Sequence, residues 1–169
     1  MAIEYTLRCE TDATESEIGN TLVERCSFVL ESAEVVPLGR HPELAEEERG
    51  VVTSYQAPGL RCAIHPESHL GRELMEEAFG LQSTCCITFR IEKFEGYDDG
   101  ITNMICACIS VIKKHARQCV LLENFDVPLL VRKSRNLTLQ STDPFWKDKL
   151  QIIASEIGDP ASFAPIPIL

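Results

Sequence analysis

Residues 83–94, STCCITFRIEKF, carry the alternation that decides the fold. From position 85 onward, one set of alternate residues is apolar or thiol-bearing, and the other set is mostly polar or charged. A period of two is typical of a half-buried β-strand, whose neighbouring side chains point to opposite faces of a sheet. This segment therefore predicts a strand with a buried face made of Cys85, Ile87, Phe89 and Ile91.

Two adjacent cysteines, Cys85 and Cys86, stand at the head of this strand, and the chain has eight cysteines in all. On a strand the two side chains point apart, so they do not hold one metal ion together. No pair of cysteines has the C-x-x-C spacing that zinc and redox sites favour. We therefore interpret the cysteines as small buried hydrophobic residues with free thiols.

Composition and element order predict the fold class. The chain has 169 residues, of which 44% are hydrophobic and 25% are charged, as in one globular domain. Strand and helix patterns alternate along it, with hairpin signals between several strands. We predict an α+β fold: a single domain over 1–158, with one mostly antiparallel or mixed sheet and about four helices packed mainly on one face. The tail, 159–169, is predicted to be irregular because of its prolines.

Local signals predict several element boundaries. Thr14 and Glu17 form a capping-box sequence at the start of a helix, and its apolar stripe extends to Val29. A short strand is predicted at 35–38 and a long helix at 101–117. The last helix is predicted to start with Asp143 as its N-cap, because proline at the next position suits the first residue of a helix.

The formal net charge of −10 bears on the class of partner. It argues against direct binding to nucleic acid or an anionic membrane, because both are polyanions, and it favours a basic partner. The alternative is a solvated acidic surface that keeps the protein soluble. Two groups of residues are candidates for contact with a basic partner: Glu43, Glu46, Glu47 and Glu48 in one loop, and Glu92, Glu95, Asp98 and Asp99 near one turn.

A C-x2-H-x3-H spacing is formed by Cys62, His65 and His69. A small metal-dependent enzyme or sensor that uses these three residues is an alternative function, since thiol and imidazole are zinc ligands. However, Cys62 and His65 have opposite parity in a predicted strand, and a surface loop explains the histidines equally well. The sequence has no nucleophile elbow, Walker loop or dinucleotide fingerprint, so we predict no enzyme activity, catalytic residue, metal or cofactor.

The sequence also bears on the compartment. It has no run of 18 apolar residues, so no membrane-spanning helix is predicted. Its start, MAIEYTLRCE, lacks the basic head and apolar block of a signal peptide. We expect a cytoplasmic protein, in which thiols stay reduced.

A set of short motifs, spread over most of the chain, resembles the Sit-type immunity proteins of myxobacterial swarm-inhibition toxin systems. In chain order they are IEY at 3–5, EEAFGLQS at 76–83, ITFRIEKF at 87–94, CVLLEN at 119–124, LLVRKSRNLTLQ at 129–140 and FW at 145–146. The resemblance implies a cytoplasmic protein that binds and neutralises a cognate toxin by occlusion, without catalysis or a cofactor. It assigns no individual contact residue. A non-catalytic adaptor module is a further alternative.

Overall fold

The computed structural model describes residues 2–38, 49–93, 95–140 and 144–168. These residues form a single α+β domain with one open sheet of nine strands and four α-helices. The predicted fold class is confirmed.

The elements follow one another in a simple order. They are β1 (Ala2–Glu10), α1 (Glu15–Arg25), β2 (Val29–Pro37), β3 (Arg49–Ala57), β4 (Leu60–Pro66), α2 (His69–Phe79), β5 (Cys85–Glu92), α3 (Tyr97–Lys114), β6 (Gln118–Glu123), β7 (Val127–Lys133), β8 (Asn136–Leu139), α4 (Pro144–Ile157) and β9 (Ala161–Phe163). The strand order across the sheet is β2-β3-β4-β5-β1-β6-β7-β8-β9. All neighbouring strands are antiparallel except β8 and β9.

The main core lies between one face of the sheet and the three helices α1, α3 and α4. Strand β5 lies beside β1 near the middle of the sheet, and its buried face is the one predicted from alternation. Phe89 is 0% exposed there. From α4, Trp146 packs edge-on against Tyr5 of β1, with ring centroids 5.3 Å apart. The alternating stretch therefore forms the centre of the fold.

The fourth helix, α2, covers part of the opposite face. Its Met75 and Phe79 form a smaller core with Val120 and Leu122 of β6 and Ile166 of the tail. The residues of β6 that alternate with these two belong to the main core, so the two cores lie on opposite faces of the sheet. Three helices on one face and one on the other fit the predicted arrangement.

The end of α1 and the start of β2 differ from the prediction. Thr14 and Glu17 form the expected capping box. The helix then ends at Arg25, and Cys26 is already extended, with φ −130° and ψ 162°. Phe28, two residues later, is 3% exposed in the main core. Burying this ring ends the helix early, so placing Val29 on the helix stripe was wrong. Val29 begins β2, which is much longer than the predicted strand at 35–38.

Helix α3 begins at Tyr97, earlier than predicted, because the β3–β4 turn rests directly on its first turn. A Cβ atom on Gly100 would overlap the backbone carbonyl oxygen of Gly59, and one on Gly59 would overlap that of Gly96. Gly59 also has a φ of +70°, which favours glycine. The side-chain amide of Asn103 donates to the carbonyl of Pro58 at 2.9 Å. The glycines thus permit a backbone-to-backbone contact between the hairpin and the helix.

Part of the proline-rich tail is regular. Ala161–Phe163 form β9, parallel to β8, so the prediction of an irregular tail over 159–169 is wrong for these residues. The backbone N–H of Leu137 donates to the carbonyl of Pro160 at 2.8 Å, and that of Ala164 donates to Leu139 at 3.0 Å. The tail pairs through backbone groups that the prolines leave available. The predicted N-cap Asp143 lies outside the described residues.

Candidate partner-binding surface

Most of the thiols belong to the protein interior. Six cysteines are buried: Cys9, Cys62, Cys85, Cys86, Cys108 and Cys119. Burial raises the pKa of Cys86 and of Cys119 to about 12, and it raises the pKa of Cys62 well above its ordinary value. A thiol with such a pKa stays protonated at neutral pH, whereas nucleophiles and metal ligands act as thiolates. These residues therefore serve packing, as the alternation pattern indicated.

One thiol pair was missed by the sequence interpretation. The Sγ atoms of Cys26 and Cys106 lie 2.9 Å apart, and the hydroxyl of Ser110 lies 3.6 Å from the first of them. Both cysteines are only partly buried. Desolvation and the hydrogen bond with Cys106 raise the pKa of Cys26 to about 12. The two residues are 80 positions apart and meet only through the packing of α1 on α3, so no local spacing indicates the pair.

The C-x2-H-x3-H residues do not assemble into a metal site. Cys62 is 2% exposed and faces the main core. His65 follows at the opposite parity, and its Nδ1 lies 2.9 Å from the carbonyl oxygen of Pro66. The side chain of His69 is 70% exposed beside Glu73. Across the described ranges, no group of three or more histidine, cysteine or acidic side chains is arranged to hold a metal ion.

The acidic turn between β5 and α3 is at the surface. Glu92, Glu95, Asp98 and Asp99 are all exposed, and the structure brings them to the same end of α3. The two aspartates lie in the first turn of this helix, where negative charge interacts favourably with the helix dipole. They thus have a local structural role besides any role in binding. The other acidic group, at 43–48, lies outside the described residues; in the sequence it connects β2 to β3.

Strand β2, at one end of the sheet, is poorly covered by the rest of the described structure. None of its side chains from Val29 to Val36, the part whose burial is described, is buried. Val29, Leu30 and Val35 are 68%, 55% and 66% exposed. Strand β2 and residues 49–52 of β3 therefore lie beyond the helix layer, whereas Tyr55 and Ala57 of β3 belong to the main core.

Pairing with β3 assigns the β2 side chains to two faces. Leu30 pairs with Tyr55, a main-core residue, so Leu30 lies on the helix-layer face. Val35 pairs with Val51 on that same face, and Val51 is 45% exposed. Glu34 lies on the opposite face, and a β-bulge falls between Leu30 and Ser32, at Glu31. The helix-layer face of the hairpin therefore carries Leu30, Val35 and Val51. The other face carries Glu34 among Val29, Ser32, Val36 and Val52, and Glu31 lies in the bulge.

A family model described as SitI3-like matches residues 3–150. The chain belongs to the SitI3-like family. The matched segment spans the elements from β1 to the middle of α4, including all the motifs on which the resemblance to Sit-type immunity proteins rests. That resemblance is confirmed, and the family name suggests an immunity protein.

No curated protein and no solved structure matches the chain. Within the described residues, no helix is long and apolar enough to cross a membrane.

Proposed function

We propose that this SitI3-like protein is an immunity protein that binds a cognate bacterial toxin and neutralises it by occlusion. Family membership over residues 3–150 carries the proposal. It favours a binding protein over an enzyme. The toxin would be met in the cytoplasm, a compartment that suits eight unpaired thiols.

The charge of the protein supports a basic toxin as the partner. The chain carries a formal net charge of −10. Complementary charge raises the rate of encounter and disfavours partners of like charge. We assign the attraction of the basic toxin toward its binding surface to two acidic groups. The first is Glu43, Glu46, Glu47 and Glu48, and the second is Glu92, Glu95, Asp98 and Asp99. The exposure of the second group supports this assignment.

Co-expression tests the proposal. The products of the open reading frames that flank the gene are expressed in a susceptible bacterium, each with and without this protein. We expect one product to arrest growth, this protein to restore growth, and the two purified proteins to form a stable complex in size-exclusion chromatography. Growth arrest by a flanking product that this protein neither relieves nor binds contradicts the proposal.

A further inference from the structure

From the geometry of β2 we infer that this strand is a docking edge: it accepts an extended segment of the toxin that carries Lys or Arg on one face and apolar side chains on the other. The inference rests on the proposed function and names the surface and the partner chemistry that the family match leaves open. In strand addition, backbone hydrogen bonds supply affinity and alternate side chains supply specificity.

The first support is the open edge of the sheet. In the described structure, β2 pairs with β3 on one side and ends the sheet on the other. Its nine residues, Val29–Pro37, carry a proline only at the last position. The opposite edge strand, β9, has three residues; Pro160 precedes it directly, and Pro165 comes two residues after its end. Short length and proline protect β9, whereas β2 is long and has no proline before Pro37. The protections that β2 does have are the bulge at Glu31 and the exposed charges of Glu31 and Glu34, which disfavour an acidic strand and leave a basic one as the favoured partner.

The second support comes from the apolar side chains on the helix-layer face of the β2–β3 hairpin. Leu30 and Val35 lie on the helix-layer face, next to Val51 of β3. All three are exposed by 45% to 66%. In an antiparallel pair, residues directly opposite each other lie on the same face and their side chains touch. A strand added to β2 would therefore cover Leu30 and Val35 with its own apolar side chains.

The third support is charge, which selects the kind of strand. Glu34 is exposed on the other face, and Glu31 is exposed in the bulge. An added strand places the side chain that pairs with Glu34 on that same face, where Lys or Arg is favoured. A second copy of this chain is disfavoured. Antiparallel pairing of two β2 strands offers no Lys or Arg to pair with Glu34, because Val29–Pro37 contains neither, and it brings the partner copy's own Glu31 and Glu34 to the same edge.

A designed peptide tests this docking edge. The probe is the fluorescein-labelled, blocked nonapeptide Lys-Val-Lys-Val-Thr-Val-Lys-Val-Lys, with the analogue in which Glu replaces Lys as the negative control. We expect the basic peptide to bind in fluorescence anisotropy and the acidic peptide to bind at least about tenfold more weakly, because complementary charge sets specificity. Hydrogen exchange should slow at alternate amides of β2, those that point away from β3.

Two sets of variants separate strand addition from general attraction to an acidic protein. E31K/E34K should weaken peptide binding by about tenfold or more, since the lost contacts are direct. The matched control E76K/E77K makes the same change in net charge at exposed residues of α2. We expect it to alter the affinity by less than about threefold, because screening limits attraction beyond about 10 Å.

Proline substitutions at Ser32 and Ala33 test the backbone directly. Adjacent amides of a strand point in opposite directions, so one of the two points away from β3. The variant that keeps wild-type stability in chemical denaturation identifies that amide, and we expect it to lose peptide binding.

The inference is overturned if the basic peptide does not bind at concentrations up to about 1 mM, or if both charge-reversal variants bind it alike. It is also overturned if the basic peptide slows hydrogen exchange only at amides outside β2. The proposed function fails separately, in the co-expression assay, which does not depend on the peptide.

Discussion

The thiols of Cys26 and Cys106 are in contact, with 2.9 Å between their Sγ atoms. This contact joins the C-cap of α1 to the middle of α3. Both residues are partly exposed, whereas the other six cysteines are buried. The pair therefore combines proximity with access to a reagent.

We predict that this pair forms the first disulfide of the protein. Freshly purified, reduced protein should contain eight free thiols, counted by mass spectrometry after alkylation in denaturant. Oxidised glutathione should then cross-link Cys26 to Cys106, with two molecules of reduced glutathione released. Because the pKa of Cys26 is raised to about 12, its thiolate is scarce at neutral pH, and the reaction should accelerate by about tenfold per pH unit.

The control is Cys26→Ser, which should abolish the cross-link and leave Cys106 as a mixed disulfide with glutathione. Formation of a different protein disulfide first, or a cross-link that persists in this variant, contradicts the prediction.

The buried face of β5 gives a second prediction. Phe89 is 0% exposed in the main core, so Phe89→Ala should lower the free energy of unfolding by about 3–5 kcal/mol. The neighbouring Arg90 is exposed on the other face, and Arg90→Ala should change it by no more than about 0.5 kcal/mol. Chemical denaturation measures both. A loss below about 1 kcal/mol for Phe89→Ala would mean that the side chain is not part of the core.

Local pattern and tertiary packing explain what the sequence could and could not predict. The alternating pattern correctly predicted that Phe89 is in the core, and the Thr14 capping box correctly predicted the start of α1. Both could be predicted because each signal lies within a few residues of the chain. The length of β2 was not predicted, because its exposed side chains alternate too weakly to show the strand period. The contacts of Ile166 with α2 join residues about ninety positions apart and leave no local trace.

The candidate surface was harder to predict than the core. The acidic character followed from counting charges, and the exposure of Glu92 and Asp98 agrees with it. The open edge at β2 was not visible, because an edge is a property of strand order. Antiparallel pairing of β1 with β5 and β6 moves β2 to the end of the sheet, and no residue in β2 specifies that position by itself.

A buried ion pair gives a third prediction. Arg8 of β1 donates to Glu67 at 2.6 Å, and the hydroxyl of Ser83 donates to the other carboxylate oxygen at 2.9 Å. The side chain of Glu67 is 2% exposed, so Arg8→Ala leaves a buried carboxylate without its main partner. We expect a loss of about 3–5 kcal/mol in chemical denaturation.

A double-mutant cycle isolates the Arg8–Glu67 interaction. Arg8→Met with Glu67→Met should be less destabilising than the sum of the single substitutions, because the double variant leaves no charge unpaired. Strict additivity would show that the two side chains do not interact.

The contact between the β3–β4 turn and α3 gives a fourth prediction. Packing at this contact decides whether replacing Gly100 with Ala raises or lowers the stability of the fold. In an open helix, Gly→Ala is stabilising by about 1 kcal/mol. At Gly100 the new Cβ atom would overlap the carbonyl oxygen of Gly59, so Gly100→Ala should be destabilising instead. The control is Thr102→Ala at an exposed position of the same helix, expected to stay within about 0.5 kcal/mol of wild type. Stabilisation by Gly100→Ala would disprove the contact.

The fifth prediction concerns charge steering toward the toxin. Replacing Glu46, Glu47 and Glu48 with Lys raises the net charge by six from −10. If the partner is basic, this triple variant should associate more slowly and show a weaker dependence of the association rate on salt, because peripheral charges act mainly on the rate of encounter. Stopped-flow association at several salt concentrations measures both quantities, and protection of toxin-expressing cells should fall in parallel. The comparison variant is E76K/E77K, whose substitutions lie on α2, the helix on the sheet face opposite the main core. An unchanged association rate in the triple variant would exclude this segment from steering and make reversal of Asp98 and Asp99 the next measurement.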